Sequence, residues 1–423
     1  MSMSFAALNL HPTLLRAVEA LGFATPTPIQ REAIPPARAG RDVLACAMTG
    51  SGKTAAFLLP IVERLMTKPR GITRALVIAP TRELAAQIEA DLRDLARFTP
   101  VRGAAVFGGV GMGPQETALR RGVDVIVATP GRLLDHMQYP YARLDGLEVL
   151  VLDEADRMLD MGFLPDIRRI LGRLPRQRQT LLFSATMPAP IAALAREFLR
   201  DALPINQERK AAPATGITHA VYPVAQETKS ALLQALLNGD DLRSVLVFTR
   251  TKHRCNRLAE QLMRAGVPTE RIHGNRSQGQ RTIALDAFKH GKARVLVATD
   301  IAARGIDIDE LSHVVNFDVP HVAEDYIHRA GRTARAGAIG EAVTFVAPDE
   351  MGDLRAIERA LGGPLPRRTL EGFNYSSRPT EKLEVPLASR IAAIRSRRSD
   401  ERARARANAA RRAGSQVGSQ RGR

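Results

Sequence analysis

The sequence has few cysteines, few aromatic residues and no long apolar run. Its 423 residues include only Cys46 and Cys255 as cysteines and no tryptophan, and aromatic residues make up 4%. Two distant cysteines exclude a disulfide framework and a cysteine-based metal site. No stretch approaches the ~18 apolar residues of a membrane span, and the first residues lack the basic and apolar segments of a secretion signal. We therefore expect a soluble, cytoplasmic protein of a reducing compartment, without a membrane partner.

Acidic residues are also scarce relative to basic ones, since 61 Lys and Arg face 44 Asp and Glu and give a net charge of +17. Residues 389–423 hold eleven arginines against two acids and almost no bulky apolar residue. Such a segment cannot bury enough surface to fold alone, so we predict a disordered basic tail. Clustered arginines indicate binding of a polyanion such as RNA, with a purely solubilising tail as the alternative.

Short apolar runs alternate with helical patterns in both halves of the chain. The runs lie at 75–80, 125–130, 147–156, 180–186, 244–251, 294–300, 313–320 and 341–347. Runs rich in Val, Ile and Leu are typical of strands buried on both faces of a parallel sheet. Segment 83–98 places Leu84, Ile88, Leu92 and Leu95 on one helical face. The pattern predicts two doubly wound α/β domains.

A stretch rich in Pro, Gly and polar residues separates the two halves. We predict an N-terminal domain over 1–205, a linker over 206–216, a second domain over 217–366 and an Arg-rich tail over 367–423. Ligands of such sheets bind beyond the carboxyl ends of the strands. The unusual residue clusters of this sequence lie at those ends.

The segment AMTGSGKT (47–54) follows an apolar run and precedes a helical pattern. Gly50 and Gly52 allow backbone N–H groups to curl around a phosphate at a helix N-terminus. Lys53 would pair with the β- and γ-phosphates, and the Thr54 hydroxyl would bind Mg²⁺. Ala47 stands where a Walker A loop usually has its first glycine.

Two further clusters carry charge suited to phosphoryl transfer. A strand ends at Asp153 and Glu154, whose side chains point to opposite sides, so one can hold Mg²⁺ while the other orients the attacking water. Downstream, HRAGRTAR (328–335) spaces Arg329, Arg332 and Arg335 by three, which predicts one side of a helix. Two guanidiniums converging on a γ-phosphate would stabilise the transition state. Because the loop and the arginines lie in different halves, ATP would bind between the domains.

Taken together, these strings resemble the DEAD-box RNA helicases of helicase superfamily two over nearly all of residues 5–350. The resemblance rests on GFATPTPIQ (22–30), AMTGSGKT, PTRELA (80–85), Gly108-Gly109, TPGR (129–132), DEAD (153–156), SAT (184–186), VFTRT (247–251), the Gln278–Arg281 pair, ATDIAARGID (298–307) and HRAGRTAR. The run HGNRSQGQR (273–281) resembles the bacterial RhlE-type branch. The resemblance implies two tandem RecA-like domains, RNA-dependent ATP hydrolysis and local, non-processive unwinding of RNA or remodelling of RNA–protein complexes.

The resemblance also implies roles for single residues. Adenine would meet Gln30 and stack on Phe23, with Phe5 behind it, and the ribose would meet Asp307. The remaining nucleotide-binding residues would be Thr25, Thr49, Gly50, Ser51, Gly52, Lys53 and Thr54, with Asp153 as metal ligand and Glu154, Arg332 and Arg335 as catalytic partners of Lys53. Nucleotide state would be coupled to domain closure by Asp156, Ser184, Thr186 and His328. RNA backbone would lie on Pro80, Arg82, Gly109, Thr129, Gly131, Arg132, Gly274, Arg281 and Thr299.

Some positions depart from the family pattern. The last motif usually has Ile and Gly where this chain has Ala330 and Ala334, which would change the energetics of closure. Two rival functions share the same motifs: a DNA-directed translocase and an RNA chaperone or ATP-gated clamp. The resemblance further suggests a monomeric core that serves a ribosomal precursor or an RNA degradation complex.

Overall fold

The computed structural model describes residues 4–47, 50–206, 216–239, 242–303, 311–333 and 340–376. They form two α/β domains, each built on a parallel sheet. No helix in these ranges is long and apolar enough to span a membrane. The two-domain α/β architecture predicted from the sequence is therefore confirmed.

The first domain contains a seven-stranded sheet. Its strands are β1 Val43–Cys46, β2 Ala75–Ile78, β3 Gly103–Val106, β4 Val125–Ala128, β5 Val149–Leu152, β6 Gln179–Ser184 and β7 Leu203–Asn206. They run in the order β3-β4-β2-β5-β6-β1-β7, and every pairing is parallel. In the centre, Val77 lies beside Val127 and Val151. These side chains are fully buried because helices cover both faces.

Within the described residues, nine α-helices flank this sheet. They are α1 Pro12–Ala20, α2 Pro28–Arg38, α3 Lys53–Leu65, α4 Arg82–Leu95, α5 Met112–Arg121, α6 Pro130–His136, α7 Ala155–Asp160, α8 Leu164–Leu171 and α9 Ala189–Phe198, preceded by a 3₁₀ turn at Phe5–Leu8. The predicted apolar face of α4 is buried, with Leu84, Ile88, Leu92 and Leu95 all in the core. Thr81 caps this helix by accepting a hydrogen bond from the Leu84 amide at 3.2 Å. The cap fixes where α4 begins, directly after β2.

The second domain contains a six-stranded sheet. Its strands are β8 Ile217–Pro223, β9 Val245–Phe248, β10 Thr269–Ile272, β11 Val295–Ala298, β12 His313–Asn316 and β13 Gly340–Val346, in the order β10-β11-β9-β12-β13-β8. The helices are α10 Lys229–Leu237, α11 Lys252–Arg264, α12 Gln278–Lys289, α13 Asp300–Ala303, α14 Ala323–Ala330 and α15 Met351–Leu361, with a 3₁₀ turn at Pro348–Glu350. The predicted linker falls largely on residues 207–215, which lie outside the described residues.

Residues 366–376, here termed the C-terminal clasp, pack on the second domain. The Arg368 amide donates to the Val221 carbonyl at 2.8 Å, so the clasp pairs with the free edge of β8. Leu370, Phe373 and Tyr375 pack against the core of the domain. The predicted boundary between the second domain and the tail, at residue 367, is therefore too early, because these three side chains bury apolar surface against the domain. Residues 377–423 lie outside the described part.

Candidate ATP and RNA site

The phosphate loop joins β1 to α3, as its sequence predicts. Gly50 and Gly52 have φ angles of 81° and 91°, a region that L residues with side chains rarely adopt. A side chain at Gly52 would also meet the Gln30 amide at 2.6 Å. Ser51 and Thr54 are half-buried, and Thr49 lies outside the described residues. The loop thus opens directly into the N-terminus of a thirteen-residue helix, which suits a bound anion.

Lys53 and Asp153 form the charged floor of this loop. Both side chains are buried, and the Lys53 Nζ lies 3.9 Å from Asp153 Oδ1. Among the described residues this ammonium has no hydrogen-bond partner, an arrangement that fits a phosphate group. Burial raises the pKa of Asp153 to about 6, and the positive charge of Lys53 opposes that shift. A divalent cation at this carboxylate would supply the missing positive charge.

Glu154 follows Asp153 and has an unusual backbone. Its φ of 52° lies in the left-handed region, where a non-glycine residue stores strain. The residue is 4% exposed, and it lies two positions after the end of β5 and directly before α7. This conformation turns Glu154 away from the strand direction, so the two neighbouring carboxylates occupy different positions in the site.

Three of the four residues predicted to couple nucleotide state to domain closure, Asp156, Ser184 and Thr186, form one hydrogen-bonded group. Asp156 Oδ2 accepts from the Thr186 amide at 2.8 Å and from the Thr186 hydroxyl at 3.0 Å. The Ser184 hydroxyl accepts from the Asp156 amide at 3.1 Å and donates to the Thr186 carbonyl at 2.7 Å. These hydrogen bonds tie the end of β6 to α7.

Arg329 and Arg332 of the second domain do not share one helical side. Helix α14 ends at Ala330, so Arg332 lies beyond it, and Arg335 is outside the described residues. Arg329 turns into the domain and binds both carboxylate oxygens of Asp300, at 2.6 and 2.7 Å. For Arg329 and Arg332 the predicted one-sided arrangement is wrong, because the helix ends at Ala330 and Arg329 pairs with an acid of its own domain.

Arg332, the other described arginine of this segment, interacts electrostatically with the first domain. It is 6% exposed, and burial lowers the pKa of its guanidinium, while the negative charge of Glu154 opposes this and the positive charge of Arg157 adds to it. Glu154 of the DEAD segment and Arg157 directly after it, both in the first domain, thus act on this guanidinium electrostatically. His328, on α14, is half-buried.

The residues predicted to bind adenine lie before α2 and in its first turn. Phe23 is 41% exposed and stacks on the buried Phe5, with ring centroids 6.3 Å apart. Thr25 is exposed. Gln30 is buried, accepts from the Thr27 amide at 2.9 Å and donates to the Gly52 carbonyl at 3.1 Å. Gln30 therefore links this segment to the phosphate loop, and its reading of adenine stays a prediction, as does the ribose contact of Asp307, which is outside the described residues.

The first-domain residues predicted to bind RNA lie at the carboxyl ends of β2, β3 and β4. The Arg82 guanidinium packs on Gly109, where a Cβ would meet its Nη1 at 2.0 Å, and the Gly109 φ is 82°. Arg132 donates to the Val110 carbonyl at 3.1 Å. Of the remaining members, Pro80 and Thr129 are buried and Gly131 is exposed.

In the second domain, Gly274 is exposed after β10 and Thr299 is half-buried after β11. Arg281 is already engaged: its Nη2 lies 3.1 Å from Glu83 Oε2 of the first domain and donates to the Ala302 carbonyl at 3.2 Å. Gln278 Nε2 donates to Glu83 Oε1 at 2.9 Å. A direct RNA contact of Arg281 remains a prediction, because the structure shows it in an interdomain ion pair.

Sequence reasoning missed the residues that join the domains. Glu83 lies within PTRELA, but nothing in the string indicates its partner on α12. A second ion pair joins Arg157, the residue after DEAD, to Asp325 on α14, with 3.5 Å between Arg157 Nη1 and Asp325 Oδ1. The sequence signal for these pairs is limited to a charged residue within a motif, Glu83, or directly after one, Arg157. We call these two pairs the interdomain seam.

Comparisons with known proteins agree with this geometry. Residues 27–194 match the DEAD/DEAH box helicase family, and residues 228–337 match the helicase conserved C-terminal domain. DEAD-box ATP-dependent RNA helicase CshA of Bacillus subtilis is 44% identical over 85% of this chain and 72% of its own length. The expected RhlE-type branch finds no support here, since the relatives of Bacillus subtilis and Geobacillus kaustophilus, each 44% identical, are both named CshA.

Solved structures agree across both domains. S. cerevisiae Dbp5 bound to RNA and ADP BeF3 is 31% identical, covers 86% of this chain and 95% of its own, and superposes with a TM-score of 0.79. Mss116p bound to ssRNA and AMP-PNP is 27% identical, with 88% and 80% coverage and a TM-score of 0.78. Such scores over both domains require a similar relative placement of the domains. The chain belongs to the DEAD-box ATP-dependent RNA helicases.

Proposed function

We propose that this helicase grips one RNA strand across both domains when ATP closes them, and so opens a few base pairs locally. The observation that carries the proposal is the interdomain seam together with Arg332, a buried arginine of the second domain whose guanidinium interacts electrostatically with Glu154 of the first domain. We infer that the phosphates of ATP bind between Glu154 and Arg332. The placement of the domains resembles that of Dbp5 bound to RNA and ADP BeF3.

Within the closed site, Lys53 would pair with the terminal phosphates of ATP and Glu154 would orient the attacking water. Arg332 and Arg335 would stabilise the charge that develops on the transferred phosphoryl group. Thr54 and Asp153 would hold Mg²⁺, which when bound neutralises phosphate charge. The buried ammonium, which has no hydrogen-bond partner among the described residues, and the buried carboxylate fit these roles.

Binding of ATP and binding of RNA would be coupled because each ligand binds the closed form more tightly than the open form. ATP and single-stranded RNA would both bind the closed form more tightly, so each would favour binding of the other. The RNA-facing residues are mainly small, polar or Arg at strand ends, which suits contact with phosphate and sugar and carries no base code. We therefore propose RNA recognition independent of sequence, in the cytoplasm, by a monomeric core. Because the relatives are named CshA, we propose that this chain is a CshA-type helicase and not an RhlE-type helicase.

The test is ATP hydrolysis with and without structured RNA, combined with displacement of a short duplex. Glu154→Gln should bind ATP and RNA but lose multiple-turnover hydrolysis, because the water would no longer be oriented. Lys53→Ala should lose ATP binding and serves as the comparison. Normal turnover in Glu154→Gln would overturn the assignment. Equal stimulation by DNA would favour a DNA translocase, and full strand rearrangement by Lys53→Ala would favour a chaperone.

A further inference from the structure

The second domain has a short loop over residues 273–277, between β10 and α12, that carries the predicted RNA contact Gly274. The loop lies beside another predicted contact, since the Thr299 amide donates to the carbonyl of Ile272, the last residue of β10, at 3.2 Å. Strands β10 and β11 are parallel, so both contacts lie at the carboxyl edge of the sheet. An RNA strand that follows the predicted path therefore passes this loop.

The buried side chain of His273 fixes the loop. Its Nδ1 accepts a hydrogen bond from the Asn275 amide at 3.2 Å, so its Nε2 carries the proton and donates to Asn256 Oδ1 on α11 at 2.9 Å. The Arg276 amide donates to the His273 carbonyl at 3.0 Å. These three hydrogen bonds define where the side chains of Asn275 and Arg276 leave the backbone.

The side chain of Asn275 holds a lysine without cancelling its charge. The Lys252 Nζ donates to Asn275 Oδ1 at 3.0 Å, and both residues are exposed. An amide oxygen accepts this hydrogen bond but carries no net charge. Within the described part of the chain, Lys252 forms no ion pair with a carboxylate. The ammonium is therefore positioned at the loop while its positive charge stays available to a ligand.

The charge around the loop is positive after the neighbouring acids are counted. Segments 251–257 and 271–281 contain six Lys and Arg and no acid. Three of the six are offset by acids from elsewhere in the chain, in the pairs Arg254–Asp318, Arg271–Glu260 and Arg281–Glu83. Glu270, the nearest acid in sequence, alternates to the opposite face of β10 from Arg271 and His273. Lys252 and Arg276 have no such partner among the described residues.

Two observations agree with a positive potential at this loop. Burial lowers the pKa of His273 to about 4, and nearby positive charges act in the same direction. They belong to Arg276, Arg271, Lys252 and His253. Lys252 and His253 are also exposed in the first turn of α11, which holds no acid and where the helix dipole disfavours positive charge. The dipole and these charges alike favour a bound anion.

We propose that Lys252 and Arg276 bind one phosphate of single-stranded RNA beside Gly274, with Asn275 as the positioning residue that leaves the charge of Lys252 free for the RNA. The site rests on the proposed function, since it lies on the same RNA path. Its ligand is a phosphodiester group, so it adds affinity that is independent of base sequence and falls with salt. It places a charged contact in the second domain, where Arg281 is already paired with Glu83.

The experiment measures binding of a uridine oligonucleotide of about ten nucleotides with a nonhydrolysable ATP analogue, over a range of salt concentrations. The double variant Lys252→Gln/Arg276→Gln should reduce the slope of log affinity against log salt by about 0.7, the contribution of one phosphate on a single strand. This slope corresponds to binding that is about fivefold weaker at about 0.1 M salt. Each single variant should change both quantities less, in the same direction. Lys292→Gln, at an exposed residue before β11 and so at the opposite edge of the sheet, is the control.

Asn275→Asp distinguishes a phosphate site from a purely structural loop by the sign of its effect. The substitution keeps the shape of the side chain and gives Lys252 an anionic partner. If Lys252 binds phosphate, RNA binding weakens and the salt slope falls, because the ammonium is neutralised. If Lys252 serves only to hold the loop, the stronger pair holds it at least as well, and RNA binding is unchanged or tighter. Asn238→Asp adds the same charge at the exposed end of α10 and is the control.

Unchanged or tighter RNA binding in Asn275→Asp would overturn the phosphate site, and so would a wild-type salt slope in the double variant. The proposed function is tested separately in the wild type. If RNA does not stimulate its ATP hydrolysis, the proposed function fails. If RNA stimulates hydrolysis and the variants bind RNA as the wild type does, only the phosphate site fails.

Discussion

Replacing Glu83 by Gln tests whether the interdomain seam drives closure. The Glu83 side chain is 7% exposed and contacts two residues of α12, Gln278 and Arg281. Gln keeps the shape and still accepts from Gln278, but it removes the ion pair with Arg281. In an open form both side chains would be solvated, so the loss applies to the closed form alone.

The expected magnitude follows from the geometry. A hydrogen bond between charged groups contributes about 1.5–3 kcal/mol, and Arg281 would retain only its bond to the Ala302 carbonyl. If closure is needed to bind RNA, the apparent affinity falls with the closed fraction. Glu83→Gln should therefore raise the RNA concentration for half-maximal ATP hydrolysis about 10- to 100-fold, with little change in kcat at saturating RNA.

The sign of the effect distinguishes two roles of Arg281. If Arg281 serves only to contact RNA phosphate, removing the negative charge of Glu83 would free it, and RNA would bind more tightly. If the pair stabilises closure, RNA binds more weakly and energy transfer between dyes on the two domains decreases. Glu89→Gln, which makes the same charge change on α4 beside Arg93, is the control. Tighter or unchanged RNA binding in Glu83→Gln would refute the reasoning.

Three further predictions concern stability and the tail. Burial and the neighbouring Asp94 raise the pKa of Asp91 to about 6, opposed by the positive charge of Lys289. A carboxyl whose pKa is higher in the folded state than in the unfolded state binds more protons when the protein is folded. The free energy of unfolding therefore falls as the pH rises from about 4 to about 6. Asp91→Asn should therefore raise the Tm at a pH of about 7.5 and have little effect near pH 4; an equal effect at both would contradict this. Deleting 367–423 should lower the Tm of the second domain by about 5–10 °C relative to deleting 377–423, because the clasp loses three packed apolar side chains, and equal Tm values would argue against the clasp. Deleting 389–423 should weaken RNA binding and reduce its salt dependence, because eleven arginines are removed; an unchanged salt slope would contradict a phosphate-binding tail.

The strands show which secondary-structure elements can be predicted from sequence patterns and which cannot. All eight predicted apolar runs coincide with a strand, namely β2, β4, β5, β6, β9, β11, β12 and β13, although β6 and β13 begin one residue before their runs. Four strands have no predicted run, namely β3, β7, β8 and β10, and each lies at an edge of its sheet. An edge strand has one neighbour and a partly exposed backbone, so it needs fewer apolar residues. The segments GAAV, LPIN and TERI carry too little apolar surface to be recognised.

The sequence by itself determined the fold class, the family and the chemistry of the phosphate loop and DEAD segment, because these depend on local spacing within a strand, a turn and a helix. Only the tertiary structure decided which charged residues meet. Arg329 and Arg332 are equivalent in spacing, yet Arg329 pairs with Asp300 of its own domain, whereas the charge of Glu154 in the first domain acts on Arg332. Likewise, Glu83 and Arg281 belong to different domains and become partners only when the domains close. A sequence encodes each side chain's charge, whereas pairing depends on where two separate domains place those charges.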